Sequence, residues 1–292
     1  MSIKIIAECG CNHCGDFELA KKMIYIAKYY CGADIIKFQK RTPKELLTSS
    51  EYNNKHPIPE CSYGRTYGEH REILEFDVGR HKELKALCDS IGIKYSCSVW
   101  DFTSAKEIIS LNPEMIKIPS ACNNNYDLLD YIYFNYNGEI HIALGMITID
   151  ETTELLNYLR SHNFMKRTVL YHCVSGYPLE YKDTYLLEIK ELVDLLKDEI
   201  KGIGFSGHHK GIFPDIMSIT LGTQYIERHF TLDHSFKGTD HKASLEPDEL
   251  KLLVSESQKL LDCLNKKPDK MCEVEEIQRR KLKWNRQLHL SQ

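Results

Sequence analysis

The chain has 292 residues, with 38 Lys and Arg against 42 Asp and Glu, which gives a formal net charge of −4 at pH 7. This acidic balance argues against a general nucleic-acid or membrane-surface binder, because phosphate repels such a chain. A composition of 42% hydrophobic and 27% charged residues is typical of a globular protein and excludes a disordered or low-complexity one. The length fits either two domains or one α/β barrel of roughly 250 residues.

The apolar run at the amino terminus is too short for a signal-peptide core or a membrane span. We therefore expect a cytoplasmic protein with no membrane partner. Eleven cysteines in a reducing compartment are expected to be free thiols. Cys11 and Cys14 form a C-x-x-C pair, but no second pair follows at the spacing of a structural zinc site. Free thiols are therefore preferred over a metal or redox site.

Eight apolar runs alternate with helix-length segments along the chain. The runs are typical of strands covered on both faces, and they lie at residues 3–9, 33–39, 93–98, 115–119, 140–145, 168–174, 203–206 and 225–230. The helical segments lie at residues 17–30, 81–90, 104–111, 126–133, 151–161, 186–200, 211–222 and 247–264. Asp16 and Asp150 are predicted to cap the first and fifth helices. The alternation predicts an α/β protein with a (β/α)₈ (TIM) barrel, a single domain over residues 1–264.

Two segments do not belong to a minimal barrel. Residues 41–79 form a long connection after the second strand, and a connection of that length is typically functional, so we expect it to form part of the mouth or lid of a site. Residues 265–292 form a charged tail that is predicted to be an exposed helix or a partner contact. Its basic residues are expected to form a solvated face in preference to an RNA-binding one, and they are Arg279, Arg280, Lys281 and Lys283, beside Trp284.

In a barrel of this kind the chemistry lies at the carboxyl ends of the strands. Polar residues collect there, namely Glu8, Asn12, His13, Lys37, Gln39, Ser98, Lys117, Ser120, His172, Ser175, Tyr177, Ser206, His208, His209, Glu227 and His229. Lys37 and Lys117 each lie inside an apolar strand, where a lysine needs an anion to offset the cost of burial. Together they predict a phosphorylated or carboxylated ligand, with structural salt bridges to internal glutamates as the alternative.

Two histidines follow neighbouring strands of the predicted barrel. His208 follows the seventh strand and His229 lies near the end of the eighth, so the two imidazoles can meet over the barrel. Neutral imidazole suits Mn, Fe, Co or Zn, and two protein ligands would leave open positions for substrate and water. The alternative is that each histidine is a packed, hydrogen-bonded residue.

Seven stretches resemble one known family in their order along the chain. They are IAECGCNHCGDFELAKKMI, GADIIKFQK, TYGEHREILEF, MIKIPSACNNNYDLL, HCVSGYP, GFSGHHKGI and ERHFTLDHSFKGTDHKASLEPDEL. The family is that of the N-acetylneuraminate (sialic acid) synthases, phosphoenolpyruvate-dependent nonulosonate synthases. The last stretch is the most specific, because a generic barrel has no reason to follow its eighth strand with KGTDHKASLEP.

The resemblance implies a transferase that forms a carbon–carbon bond. C3 of phosphoenolpyruvate attacks the C1 aldehyde of an open-chain N-acyl hexosamine, N-acetylmannosamine or a derivative. Water then adds at C2 and phosphate leaves, giving a nine-carbon 2-keto-3-deoxy acid such as sialic acid. This chemistry needs a Lewis acid on the aldehyde oxygen and a fixed cationic cradle for the phosphate and carboxylate groups.

The resemblance also assigns roles to individual residues. His208 and His229 match metal-binding histidines, usually with Mn²⁺, and with Mg²⁺ or Co²⁺ as alternatives. The implied catalytic residues are Glu8 as an acid or base, Lys37 and Lys117 beside phosphoenolpyruvate, and Asp240 near the sugar and the metal-bound water. The implied substrate-binding residues are Gln39, Ser98, Ser120, Ser175, Tyr177 and Ser206.

The chain departs from the family pattern at two places. Cys122 stands where many members carry an acidic residue, and a thiol is a poor oxygen-type acid or base. Members commonly form homodimers, and a C-terminal antifreeze-like domain of one subunit covers the partner's site. We expect a homodimer here without that domain, with a separate subunit as its replacement. The alternatives are another phosphoenolpyruvate-using keto-deoxy sugar acid synthase, or a non-catalytic barrel that acts as a scaffold or regulator.

Overall fold

Eight parallel strands form one closed barrel in the computed structural model, which describes residues 3–284. The strands are β1 (Lys4–Gly10), β2 (Ile35–Lys40), β3 (Lys94–Val99), β4 (Met115–Ile118), β5 (Glu139–Ala143), β6 (Thr168–Cys173), β7 (Gly202–Gly207) and β8 (Tyr225–His229). Each strand pairs with its neighbour in the chain, and β1 pairs with β8 to close the ring. The predicted (β/α)₈ barrel is confirmed, and each strand begins and ends within two residues of its predicted bounds.

Helices connect the strands on the outside of the barrel. They are α1 (Phe17–Tyr25), α2 (Pro43–Leu46), α3 (Ser49–Asn53), α4 (Tyr67–Leu74), α5 (Val78–Ile91), α6 (Phe102–Ser110), α7 (Tyr126–Asn135), α8 (Ile149–Ser161), α9 (Leu187–Leu196), α10 (Phe213–Thr220), α11 (Pro247–Cys263) and α12 (Glu273–Leu282). α1 continues as a π-helical turn, Ile26–Cys31, and α9 ends four residues before its predicted end. Among residues 3–284, no helix is both long enough and apolar enough to cross a membrane.

One of the two predicted helix caps is present. Asp16 caps α1, because its side chain accepts hydrogen bonds from the backbone N–H groups of Glu18 and Leu19. The predicted cap at Asp150 is wrong. Thr148 caps α8 through a reciprocal capping box with Glu151, so Asp150 lies in the first turn of the helix. There its negative charge still interacts favourably with the positive amino end of the helix dipole.

The connection at residues 41–79 is not a structureless loop. It contains α2, α3, a 3₁₀ turn at Pro59–Cys61 and α4. The Tyr63 hydroxyl donates a 2.6 Å hydrogen bond to the carbonyl oxygen of Lys237, which lies in the connection after β8. The connections that follow β2 and β8 are thus tied to each other above the carboxyl end of the barrel.

Inside the barrel, an apolar layer of side chains lies beneath the polar side chains at the carboxyl ends of the strands. Strand side chains alternate between the interior and the helices, and the interior apolar cluster consists of Ile6, Ile35, Met115, Ala143, Val169, Tyr171 and Cys173. The Tyr171 ring lies against Gly204 of the neighbouring strand β7, where a Cβ atom would lie 2.4 Å from the ring. Only glycine allows this approach, so the Tyr171 ring forms a floor beneath the polar residues at the strand ends.

The tail carries one helix on the surface. None of the side chains of α12 is buried. Its acidic residues lie in the first turn and its basic residues in the last turn, an order that complements the helix dipole. Residues 285–292 of the predicted tail lie outside the described residues.

Candidate active site

A cavity of about 340 Å³ opens at the carboxyl end of the barrel; we call it the inner cavity. All of the predicted site residues except Asp240 line it, namely Glu8, Lys37, Gln39, Ser98, Lys117, Ser120, Ser175, Tyr177, Ser206, His208 and His229. The strand register explains this convergence. Glu8 on β1 lies beside Lys37 of β2 on one side and His229 of β8 on the other.

The two lysines are held by two buried glutamates. Lys37 forms a close ion pair with Glu8 and lies 3.6 Å from an oxygen of Glu227. Lys117 donates to the same Glu227 oxygen at 2.6 Å. The predicted structural alternative, salt bridges to internal glutamates, is therefore present without a ligand. The sequence placed Glu227 at a strand end but gave it no role, because its function as the shared partner of both lysines depends on the closed ring.

The four charges of this cluster sum to zero. Burial by itself would raise the pKa of Glu227, but Lys117 and Lys37 lower that pKa to about 2. Burial would likewise lower the pKa of Lys37, but Glu227 and Glu8 raise it above its usual value. Both residues therefore remain charged near neutral pH. The other oxygen of Glu227 is buried without a hydrogen-bond partner among the described residues, which leaves it able to accept a proton or a donor.

Hydroxyl groups surround the lysines. Ser98 accepts a 2.7 Å hydrogen bond from Lys37, and Ser206 lies 3.4 Å from the Lys117 nitrogen. A Cβ atom on Gly145 would lie 2.5 Å from the Ser120 hydroxyl and 2.6 Å from the Ser175 hydroxyl. The absent side chain leaves an open recess between these two serines. Ammonium groups next to hydroxyl donors form a cradle suited to phosphate or carboxylate oxygens.

The two predicted metal ligands lie together at the cavity wall. The rings of His208 and His229 are 5.5 Å apart between centroids. His208 Nδ1 contacts the Val174 carbonyl oxygen at 2.9 Å, so this nitrogen carries the proton and Nε2 keeps a free lone pair. Burial lowers the pKa of His208 to about 3, so the ring is neutral.

The donor set at this wall fits a divalent metal. The Nδ1 atom of His229 is buried without a hydrogen-bond partner among residues 3–284. In a histidine that serves only the packing, a buried ring nitrogen is normally hydrogen-bonded. Within the same residues, no group of three or more His, Cys, Asp or Glu side chains could hold a metal ion. The described residues offer two imidazoles at this wall, and a metal held by them would take its remaining ligands from substrate and water.

A second cavity of about 340 Å³ adjoins the first; we call it the outer cavity. Gln39, Trp100, Tyr177 and His229 line both cavities. Asp240 lines the outer one. Burial alone would raise its pKa, but His229, the Thr239 hydroxyl and Arg41 hold that pKa below its usual value. Asp240 is thus a carboxylate of the outer cavity, whose lining does not include Lys37 or Lys117.

Residues 41–79 contribute much of the outer cavity, as predicted for a mouth or lid. They supply Arg41, His56, Pro57, Ile58, Tyr63, Tyr67, His70, Arg71 and Leu74. The Arg41 guanidinium stacks 4.0 Å above Trp100 and forms a salt bridge with Glu75 at 3.3 Å. The sequence missed these residues because their positions depend on how α2 to α4 fold back over the barrel.

Several polar residues that the strand-end rule singled out serve the structure instead. Asn12 donates to the Phe230 carbonyl oxygen and to the Ser244 hydroxyl, both at 2.8 Å. His13 stacks on Phe76 at 4.2 Å. His172 contacts the Thr184 carbonyl oxygen at 2.7 Å. These contacts fix the strand-end connections; Asn12 still lines the outer cavity, whereas His13 and His172 line neither cavity.

Cys122, at the position that departs from the family pattern, is buried behind the inner cavity. Its thiol donates to the Trp100 carbonyl oxygen at 3.4 Å, and burial raises its pKa to about 11. Cys122 lines neither the inner nor the outer cavity. It therefore remains a neutral thiol with a structural contact.

Known proteins are similar to this chain in sequence and in fold. The chain is 38% identical over 256 residues to an N-acetylneuraminate-9-phosphate synthase of Drosophila melanogaster, a match that covers 87% of this chain and 67% of that protein. It is 34% identical to an N,N'-diacetyllegionaminic acid synthase of Campylobacter jejuni, covering 88% of this chain and 75% of that protein. The crystal structure of a sialic acid synthetase of Leptospira borgpetersenii superposes with a TM-score of 0.80 at 27% identity, covering 97% of this chain and 93% of that one.

The family model agrees with these individual matches. The NeuB family model matches residues 23–268, which include β2 to β8 and all of the residues that line the two cavities except Glu8, Cys11 and Asn12. The resemblance predicted from the seven sequence stretches is confirmed. The chain therefore belongs to the NeuB family of phosphoenolpyruvate-dependent nonulosonate synthases, transferases that form a carbon–carbon bond.

Proposed function

We propose that the chain condenses phosphoenolpyruvate with an N-acyl hexosamine such as N-acetylmannosamine and releases phosphate and a nine-carbon 2-keto-3-deoxy acid. One observation carries the proposal: two charged lysines and two histidines, His208 and His229, line one inner cavity. The lysines suit the phosphate and carboxylate of phosphoenolpyruvate. The adjoining outer cavity shares His229 and Gln39 with the inner one and would hold the sugar with its C1 end at those two residues.

The described residues supply the acid, base and positioning groups for this reaction. Lys37 and Lys117, with Ser98 and Ser206, hold the oxygens of phosphoenolpyruvate and orient C3 toward the aldehyde carbon. Glu8 accepts a 2.6 Å hydrogen bond from Gln39 at the junction of the two cavities. That position suits Glu8 for proton transfer at the aldehyde oxygen or at the attacking water.

We propose His208 and His229 as the protein ligands of a divalent metal, preferably Mn²⁺, with Mg²⁺ or Co²⁺ as alternatives. When bound, the metal supplies a Lewis acid that polarises the sugar aldehyde. Its charge also matters in a cavity whose own charges sum to zero, since phosphoenolpyruvate brings only negative charge. Asp240, which lines the outer cavity, would orient water or a sugar hydroxyl there.

The relatives carry different product names. They include synthases of N-acetylneuraminate 9-phosphate, legionaminic acid and pseudaminic acid, at 38%, 34% and 28% identity. We propose a product of the sialic acid type because the highest of these three identities is to a protein that carries the N-acetylneuraminate name. Product analysis by mass spectrometry distinguishes these acids.

The test is phosphate release from phosphoenolpyruvate by the purified chain across a panel of N-acyl hexosamines, with Mn²⁺ and after chelation. We expect release that requires both the sugar and the metal. His208→Ala and His229→Ala should abolish turnover while leaving a folded barrel. Full activity of either variant after exhaustive chelation would contradict the metal assignment.

Calorimetry tests the cradle separately. Lys37→Met and Lys117→Met should weaken phosphoenolpyruvate binding more than sugar binding. The matched control is Lys40→Met, because Lys40 is a buried, ion-paired lysine of β2 that bonds Glu107 at 3.0 Å and is not part of either cavity lining. Unchanged phosphoenolpyruvate affinity in both cradle variants would show that the cradle is misplaced.

A further inference from the structure

The Lys117 ammonium is held by two oxygens and by an aromatic ring. It donates to Glu227 at 2.6 Å and to Ser206 at 3.4 Å. Its nitrogen also lies 4.4 Å from the centre of the Tyr171 ring. An ammonium group has three N–H donors, and among residues 3–284 Lys117 forms no third hydrogen bond. One N–H of this lysine is therefore not committed to an oxygen of the protein.

The ring holds the charge without using up that donor. A cation is attracted to the face of an aromatic ring within about 6 Å of its centre, and the attraction is larger where water is excluded. Tyr171 and Lys117 are both buried. Because a ring face attracts an ammonium less strongly than a charged oxygen does, the third N–H stays available to a ligand in the inner cavity.

The ring is itself fixed by a buried chain of hydrogen bonds that runs toward the amino end of the barrel. The Tyr171 hydroxyl lies 2.8 Å from His141 Nδ1, and His141 Nε2 lies 3.5 Å from Glu139. Burial raises the pKa of Tyr171 well above its usual value and lowers the pKa of His141. The hydroxyl therefore donates to a neutral imidazole, whose Nε2–H donates to the carboxylate. Any movement of the ring away from Lys117 would break this chain.

Lys37, the other lysine of the cradle, is held differently. It forms an ion pair with Glu8, donates to Ser98 at 2.7 Å and lies 3.6 Å from Glu227. Three oxygens of the protein therefore surround its charge. Within the described part of the chain, no aromatic ring contacts this ammonium. The two lysines thus differ, and Lys117 is the one with a donor left for a ligand.

We propose that Tyr171 is a positioning residue for Lys117: its ring fixes the ammonium so that one N–H faces the ligand in the inner cavity. Tyr171 itself lines neither cavity, so it acts through the lysine. The inference rests on the proposed function, because the ligand that this N–H meets is phosphoenolpyruvate. Without the ring, Lys117 would settle into the vacated space beside Glu227, and phosphoenolpyruvate would have to draw it back on binding.

The test compares Tyr171→Leu, which removes the ring, with Tyr171→Phe, which keeps it. We expect the KM for phosphoenolpyruvate to rise about tenfold in Tyr171→Leu, a size typical of a cation–π contact. The KM for N-acetylmannosamine should stay within about twofold. Tyr171→Phe should remain within about threefold of the wild type for both substrates. Steady-state kinetics with Mn²⁺ measures all four values, and a rise in Tyr171→Phe as large as in Tyr171→Leu would overturn the role of the ring.

Double variants show whether the effect passes through Lys117. In the Lys117→Met background, Tyr171→Leu should cause no further loss of phosphoenolpyruvate affinity. In the Lys37→Met background, it should still weaken binding by about tenfold. Calorimetry measures both. A tenfold loss in both backgrounds would mean that Tyr171 supports the cavity as a whole, and it would overturn the proposal.

Tyr133 provides the matched control. It is also a buried tyrosine, and the Arg167 guanidinium lies 5.6 Å from the centre of its ring, but it lines neither cavity. Tyr133→Leu and Tyr133→Phe should keep both KM values within about twofold. Thermal melts establish that each variant is folded. Tyr171→Met, which keeps more of the volume, takes the place of Tyr171→Leu if the latter does not fold.

The outcomes separate this inference from the proposed function. An unchanged KM for phosphoenolpyruvate in folded Tyr171→Leu would overturn the inference and leave the proposed function intact. If phosphoenolpyruvate neither reacts nor binds, the proposed function fails. Urea unfolding of Lys117→Met, Tyr171→Leu and the double variant then decides the contact without any ligand. Losses of stability that are coupled support the positioning of Lys117 by Tyr171, and additive losses overturn it.

Discussion

Glu227 joins the two lysines of the inner cavity and sets the charge that a ligand meets there. One of its oxygens lies 2.6 Å from Lys117 and 3.6 Å from Lys37. With Glu8, it makes the cluster neutral overall. Phosphoenolpyruvate must therefore disturb existing ion pairs or enter together with a cation. A substitution of Glu227 alone can test whether phosphoenolpyruvate binding depends on an accompanying cation.

Glu227→Gln should make phosphoenolpyruvate binding less dependent on metal. The change removes one buried negative charge at nearly constant volume, so the ligand meets a net positive cluster. We expect about tenfold tighter binding in the presence of chelator, which corresponds to about 1.4 kcal/mol, and a smaller gain from added Mn²⁺ than in the wild type. Isothermal calorimetry with and without chelator provides the measurement. Glu107→Gln, which removes the partner of Lys40 outside the barrel, is the control, and equal metal dependence in both variants would contradict the charge argument.

Cys122→Ser should keep turnover within about tenfold, or roughly 1.4 kcal/mol in the barrier. The thiol is neutral, contacts a backbone carbonyl oxygen and lines neither cavity. A serine hydroxyl can donate to the same oxygen. Steady-state kinetics is the measurement. A loss of several orders of magnitude in a folded variant would show that the thiol takes part in proton transfer after all.

The residues of the inner cavity were predictable from sequence for a local reason. Lys37 and Lys117 each interrupt an apolar strand, and the interruption is visible without any knowledge of the fold. The donors of the outer cavity were not predictable in this way. His56 and Arg71 lie among ordinary polar residues, and only the folded path of the connection brings them to one wall. No local pattern marks such residues.

At the scale of elements, a buried ionic cluster joins β8 to α10 next to His208 and His229, the two proposed metal ligands. Arg228 points outward from β8, forms a close ion pair with Asp215 of α10 and donates to the His209 carbonyl oxygen. Asp215 also lies 3.1 Å from His209 Nε2. All three side chains are buried. The cluster fixes the ends of β7 and β8 relative to each other.

Asp215→Asn should destabilise the protein by about 3–5 kcal/mol, because it leaves the Arg228 guanidinium buried without a counter-charge. Urea unfolding at pH 7 measures this loss. Asp194→Asn, which breaks the exposed pair with Lys190 on α9, should cost far less. Similar losses in the two variants would mean that solvent reaches the Arg228 cluster.

The elements themselves were predictable because most strands are buried on both faces and read as apolar runs. The prediction of the α8 cap was wrong because two nearby residues could each serve as the N-cap. Thr148 and Asp150 are both good capping residues, and the reciprocal bond between Thr148 and Glu151 decides in favour of the earlier one. Apolar residues do not recur at helical spacing in residues 41–79. The stability of the short helices there therefore depends on their contacts with the barrel.

At the scale of the whole molecule, Glu139 joins three strands at the amino end of the barrel. It lies on β5, bonds Lys201 beside β7 at 3.0 Å and accepts from the Tyr225 hydroxyl of β8 at 3.2 Å. His141 is the main cause that lowers the pKa of Glu139, to about 2, against the opposing effect of burial, and Lys201 adds to it. A depressed carboxyl pKa stabilises the fold above the unfolded pKa of about 4.3.

Glu139→Gln should therefore lower stability at pH 7 by about 1–2 kcal/mol, a value reduced for the partial exposure of the side chain. The difference from the wild type should shrink as the pH falls from about 4 toward 2, where the wild-type carboxyl also gains its proton. Urea unfolding at pH 7 and pH 3 tests the sign. A difference that stays constant or grows on acidification would contradict the assigned role.

The closure of the ring by β1 and β8 also has a consequence for synthesis on the ribosome. Asn12 bonds the carbonyl oxygen of Phe230, 218 residues later in the chain, and the inner cavity needs Glu8 from one end and Glu227 and His229 from the other. Chain closure over such a separation is slow compared with local helix formation. For most of its translation, a nascent chain therefore exposes unpaired strand edges and apolar strand side chains. It cannot assemble the cavity until β8 has emerged. Only a chain translated through β8 can therefore engage its substrates and gain stability from them.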